Sequence, residues 1–104
     1  MLDASLPLPE IAAYHAQQAA EKALKAFLTA RSTPFRRTHD LVELQQQCEG
    51  IDAGFSALAA TAQTLTPYAT LFRYPGGPLA PPVTDARLAV RLAAGAVRHI
   101  RRSL

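Results

Sequence analysis

The sequence predicts an all-α domain, an antiparallel up-and-down bundle of about four helices. Three observations carry this. Apolar residues recur three and four positions apart in four separate stretches, nowhere do they alternate in the manner of a half-buried strand, and prolines gather at the joints between the stretches. The 104 residues form one domain, 1–104, without internal repeat or low-complexity tract.

Residues 1–9 read as an extended lead-in, because each proline of Leu6-Pro7-Leu8-Pro9 disfavours helix in the residue before it. A first helix is expected from Glu10 to about Arg31, ended by Ser32-Thr33-Pro34. It sets Gln18, Glu21, Lys22 and Lys25 within about 100° of arc. Ala16, Ala20, Ala23, Leu24 and Phe27 face the other way, and small residues there let a second helix backbone approach closely. Thr38 is placed to cap a second helix over His39 to Glu49, with Asp40 in its first turn and Gly50 closing it. Leu41, Leu44 and Cys48 would face the core.

Asp52 can cap a third helix, about Ala53 to Thr64, whose buried stripe is Phe55, Leu58, Ala59 and Ala62. Residues 66–84 hold five prolines and the pair Gly76-Gly77, and read as a long ordered loop or partly helical turn. Thr84 or Asp85 caps a last helix running to the C-terminus. Leu88, Leu92, Ala96, Val97, Ile100 and Leu104 are its expected apolar side. Arg87, Arg91, Arg98 and Arg102 fall within about 60° of one another on the opposite side.

An apolar fraction of 49% with 18% charged residues belongs to a compact globular chain. The single Cys48 excludes an internal disulfide and fits a reducing compartment; as a nucleophile it has no base nearby in sequence. No apolar run approaches the roughly 20 residues that span a bilayer. The N-terminus has no basic region and no hydrophobic stretch of the signal-peptide kind, so the expected location is cytoplasmic. Net charge is +3, with arginines gathered in the last third and at Arg31, Arg36 and Arg37; the sign favours a phosphate-bearing partner without demanding one.

The polar residues admit two readings each. Glu21 and Lys25 make an i, i+4 pair of favoured orientation, which suffices for a solvated face. His39 and Asp40 either cap a helix and match its dipole, or bring an imidazole and a carboxylate to one bundle end where a proton can move at neutral pH. His15 reads as a half-buried core histidine, and His99 as a solvated one. The three histidines are too far apart in sequence for a metal site, and no cofactor is implied. Tyr68 and the turn Arg73-Tyr74-Pro75-Gly76 either lid the bundle or grip a phosphate and stack on a base. The last-helix arginines suit an RNA or nucleotide backbone, an acidic partner, or solvent.

Several of these pieces together resemble the HEPN domain family. They are Tyr14-His15-Ala16-Gln17-Gln18-Ala19-Ala20-Glu21-Lys22-Ala23-Leu24-Lys25-Ala26-Phe27-Leu28, then Thr38-His39-Asp40-Leu41, then Leu65-Thr66-Pro67-Tyr68 and Arg73-Tyr74-Pro75-Gly76. The resemblance runs from about residue 10 to the end, and the first string is its most specific part. It implies a helical bundle, often a homodimer, frequently encoded beside a small nucleotidyltransferase in a two-gene unit that is sometimes of toxin–antitoxin type. Many such proteins are metal-independent RNases built on an arginine and a histidine with about four to six residues between them, in a composite site across the dimer. Here Arg36 and Arg37 stand three and two positions before His39, Arg31 stands eight before it, and Arg91 stands eight before His99. The motif is therefore unmatched, and the reading leans away from an enzyme. The proline-rich lead-in also leaves no room for the family's usual first helix, which favours a second subunit covering helix one or points to a shortened reading frame.

The resulting expectation is a HEPN-like domain that binds nucleotide or RNA phosphate and acts with a partner nucleotidyltransferase. Lys22, Lys25, His39 and Arg73 are the expected phosphate or sugar contacts. Gln18 and Tyr74 would supply hydrogen bonding and base stacking, and Asp40 would hold His39 in one tautomer. One alternative is a metal-independent RNase with His39 as general base and Arg37 or Arg73 at the phosphate. Another is a non-catalytic interaction module.

Overall fold

A computed structural model of the chain describes residues 8–71 and 81–104. It contains α1 (Pro9–Ala30), α2 (Leu41–Ile51), a 3-10 segment (Ala53–Leu58), α3 (Ala59–Leu65), α4 (Tyr68–Leu71) and α5 (Val83–Ser103). The described residues include no strand, and four of these α-helices are seven residues or longer, as the periodicity predicts.

Alanine decides how the two long helices meet. Ala13, Ala16 and Ala20 of α1 are buried, as are Ala86, Ala89, Ala93 and Ala96 of α5. Larger side chains at these positions would hold the backbones apart. The buried face of α5 is therefore this stripe with Ile100, and not the predicted Leu88–Leu104 series. Leu88 and Leu104 are exposed, at 40% and 62%, while Leu92 and Val97 are half-buried on the flanks.

The direction of the pair corrects the expected alternation. Arg31 Nη2, just past the C-terminal end of α1, donates to the Ser103 carbonyl at the C-terminal end of α5, 3.0 Å away. Phe27 stacks at 4.4 Å on Phe55, whose ring meets the edge of His99 at 5.2 Å. The helices α1 and α5 thus run the same way. The connector 31–40 explains how. Ten extended residues reach about 33 Å, more than twice the rise of ten helical residues, so the connector carries the chain back along α1 without a helix.

Local chemistry shifts several boundaries. α1 starts on Pro9, whose absent N–H costs nothing in the first turn. Asp40, rather than Thr38, caps α2, accepting from Val42 N and Glu43 N at 2.9 and 3.4 Å. Gly50 lies inside α2, and the chain leaves the helix at Asp52. Asp52 Oδ1 accepts from Gly54 N at 2.9 Å, but what it starts is the 3-10 turn that places Phe55 and Leu58 on one side, not a continuous α-helix. α5 follows Pro82 with no side-chain cap; Asp85 sits in its first turn and Thr84 caps nothing.

The core is Phe27, Phe55, Leu24, Leu28, Leu41, Leu44, Cys48, Leu58, Leu65 and Ile100 around the alanine seam, with Tyr68 packed partly buried at its edge. Cys48 Sγ donates to the Leu24 carbonyl at 3.7 Å, and burial pushes the thiol up to about 12. A thiol so protonated is no nucleophile at neutral pH.

Ala20→Leu or Ala93→Leu is expected to overpack the seam and lower stability by about 1–3 kcal/mol. The exposed Ala19→Leu is expected to stay within about 0.5 kcal/mol. Urea unfolding of the three variants checks both.

Candidate functional site

One flank of α1 carries polar residues inward. Gln17 and Glu21, one turn apart beside Leu24 and Leu28, are buried at 0% and 5% exposure. A carboxylate in that position must be supplied with donors on both oxygens. Glu21 Oε1 accepts from Gln17 Nε2 at 2.9 Å and from His39 Nδ1 at 2.9 Å, and Oε2 accepts from Lys25 Nζ at 2.8 Å. Gln17 Nε2 also donates to the His39 carbonyl at 3.2 Å, and Gln18 Nε2 donates to Gln17 Oε1 at 2.6 Å. The returning connector is pinned to α1 through this network.

The geometry settles the imidazole tautomer. A carboxylate only accepts, so the proton sits on Nδ1 of His39 and Nε2 points away from Glu21. The His39 side chain is 68% exposed while that of Glu21 is 7% exposed, so the outward nitrogen faces open solvent. Backbone contacts hold the corner from the other side. Thr38 Oγ1 accepts from Asp40 N at 3.0 Å, and Leu41 N donates to Thr66 Oγ1 at 3.1 Å. Thr66 Oγ1 in turn donates to the Ala62 carbonyl at 2.7 Å.

Burial alone would raise the Glu21 pKa. The hydrogen bonds from Lys25, Gln17 and His39, with the Lys25 charge, outweigh it and hold the carboxyl below the ordinary glutamate range. The ammonium of Lys25 also lies 5.8 Å from the centre of the Phe35 ring.

The structure brings together four of the expected residues, Gln18, Lys25, His39 and Asp40, but gives one a different task. The Asp40 carboxylate is engaged by the α2 amides, and the group that orients His39 is Glu21. Lys22 is exposed on the far side of the polar edge, with no hydrogen bond among the described residues. Arg73 and Tyr74 lie outside the described residues. Arg36 is occupied by Glu43 through two contacts of 2.8 Å, whereas Arg37 is exposed. His15 is exposed beside Tyr14 instead of half-buried in the core. His99 is half-buried against Phe55 instead of solvated, with Nδ1 buried and lacking a hydrogen bond.

Gln17 and the orienting role of Glu21 escaped the sequence reading, and one signal pointed to them. Gln17 sits about 20° round the helix from Leu24, inside the apolar arc, and Glu21, one turn on, sits where that arc meets the polar edge. Chemically, the imidazole can take a proton at Nε2 or, once protonated, donate to an anion, with the Lys25 ammonium nearby. Among the described residues no group of three histidine, cysteine or carboxylate side chains is placed to hold a metal ion. No described helix is long and apolar enough to cross a membrane.

A family model described as HEPN domain matches residues 3–101 of the chain. Comparison with curated proteins and with solved structures finds no match.

Glu21→Ala leaves Gln17 with an unpaired buried amide and is expected to cost about 1–3 kcal/mol at neutral pH. Because the folded carboxyl titrates lower than the unfolded one, its contribution is present above the ordinary glutamate pKa and is lost as pH falls through the folded value. The stability gap between wild type and Glu21→Ala should therefore narrow on acidification. Denaturant melts at stepped pH read this directly.

Proposed function

The chain belongs to the HEPN domain family, and from that premise we propose that it binds nucleotide or RNA phosphate where α1 meets the start of α2. A family function in the nucleotide and RNA field is the general frame. The observation that carries the particular reading is the pairing of buried Glu21 with His39 at 2.9 Å. It leaves an outward imidazole nitrogen on a ring that shares the Glu21 carboxylate with the Lys25 ammonium. A protonated His39 and Lys25 would each give a phosphate oxygen a charge-assisted hydrogen bond. Gln18 adds a neutral donor at the rim. The α2 amides take no part, because Asp40 and Thr66 already satisfy them.

In this reading the domain acts with a small nucleotidyltransferase, in a two-component unit of toxin–antitoxin type, and pairs as a homodimer. Support for the partner is the family resemblance. Support for self-association is likewise the family resemblance. Co-purification with the neighbouring gene product and sedimentation of the isolated protein test these two parts.

A second reading, metal-independent RNA cleavage, is favoured by the fixed tautomer. Nε2 of a neutral His39 can take the proton of a ribose 2′-hydroxyl as that oxygen attacks the adjacent phosphorus and the 5′-oxygen leaves. Arg37 is the described cation nearest in sequence for the phosphate charge. Cleavage of end-labelled RNA in chelator, abolished by His39→Ala, is what this reading requires.

Titration with nucleoside triphosphates by calorimetry is expected to show binding that His39→Ala and Lys25→Ala each weaken about tenfold or more, the scale of one charged hydrogen bond. Lys22→Ala should bind as wild type does. Equal affinities for all four proteins would remove the proposed site.

A further inference from the structure

The outward face of α5 carries a second anion-binding chemistry, independent of the α1–α2 corner. Arg91, Arg98 and Arg102 are exposed and fall within about 40° of one another. They lie directly opposite the buried alanine stripe. Between Arg91 and Arg102 the helix rises about 16 Å, so the three guanidiniums form a straight, rigid ridge. Gly95 keeps its centre open. A Cβ there would meet only Nη2 of Arg98, at 3.9 Å, so the Arg98 side chain lies back along bare backbone toward Arg91.

Among the described residues no carboxylate is paired with Arg91, Arg98 or Arg102. Five of the described carboxylates are engaged elsewhere: Glu21 with Lys25 and His39, Glu43 with Arg36, Asp40 and Asp52 as caps, and Glu49 with Gln45; Glu10 is buried in α1. Asp85 lies about 120° round the helix from the ridge. A basic last turn is favoured by the helix dipole, which accounts for Arg101 and Arg102. The dipole effect fades within one turn and explains neither Arg91 nor Arg98.

We infer that this ridge binds the phosphodiester backbone of a nucleic-acid strand. The occupant follows from what the ridge contains and lacks. Guanidinium groups match phosphate oxygens in pairs. An interface with an acidic protein needs an apolar centre shielded from water, whereas only Thr84 and Gly95 stand among the arginines and the exposed Leu88 lies at the margin of the ridge. α5 carries no Phe, Tyr or Trp, and its one imidazole, His99, is half-buried against Phe55, so no ring on the helix is free to stack a base. Contact is therefore through phosphates alone, indifferent to base sequence and steep in salt.

Fluorescence anisotropy with a labelled oligouridylate of about 20 nucleotides, titrated at stepped salt, tests this. Arg91→Gln/Arg98→Gln/Arg102→Gln removes three phosphate contacts, so the log–log salt slope should become shallower by about 2. Affinity at low salt should drop at least tenfold. All three side chains are exposed, so the unfolding curve should not move, which separates loss of contact from loss of fold. Nucleoside triphosphate binding should also persist, so failure of the ridge and failure of the α1–α2 site are read separately. An unchanged salt slope overturns the inference. So does a wild-type protein that holds poly-glutamate of equal charge as tightly as the oligonucleotide.

Discussion

A carboxylate placed on the inner flank of a helix cannot be left without donors, and Glu21 is so placed. Its demand is met by Gln17 and Lys25 from its own helix and by His39 from a segment eighteen residues further along the chain. That last contact does more than satisfy an oxygen. It fastens the extended connector against α1, sets the level at which α2 begins, and fixes the exposed His39 imidazole in a single tautomer. The same atoms that hold the chain's return path thus create the chemistry of the site. Stability and the proposed function meet at one residue, and the corner is tied to α1 although His39 itself is open to water.

The alanine seam supplies the complementary constraint. Close approach of α1 and α5 gives little area per residue, since an alanine buries few atoms, and makes up for it in length. The aromatic cluster of Phe27, Phe55 and His99 then seals the end where the two helices finish together. A parallel pair needs a long return, and the chain spends the connector, α2 and α3 on it. Those returning elements carry His39 and Asp40, so the topology forced by the seam is also what brings the second half of the site to the first.

How much of this was legible in the sequence differs with the kind of signal. Helix number, the alanine face of α1 and the core residues Leu41, Leu44, Cys48, Phe55 and Leu58 follow from periodicity, which is a local property. Helix direction does not, because an extended connector and a helical one are alike in composition, and only packing decides between them. The α5 face was misjudged for a related reason. Leu88 and Leu104 are more apolar than alanine, but the partner surface on α1 selects size over hydrophobicity. At the site, proximity of the Gln-Gln-Ala helix to the His-Asp corner was inferred, while the identity of the orienting carboxylate was not. Asp40 is the neighbour in sequence, yet the open amides of the α2 terminus compete for it and win.

The account depends most on Glu21 dictating the state of the His39 ring. Long-range nitrogen–proton correlation of the imidazoles, recorded with the ring neutral, reports which nitrogen bears the proton. The account predicts an Nδ1–H form for His39 in the wild-type protein and its loss in Glu21→Ala, where no carboxylate remains to hold it. An Nε2–H form in the wild type, unaltered by that substitution, would contradict it.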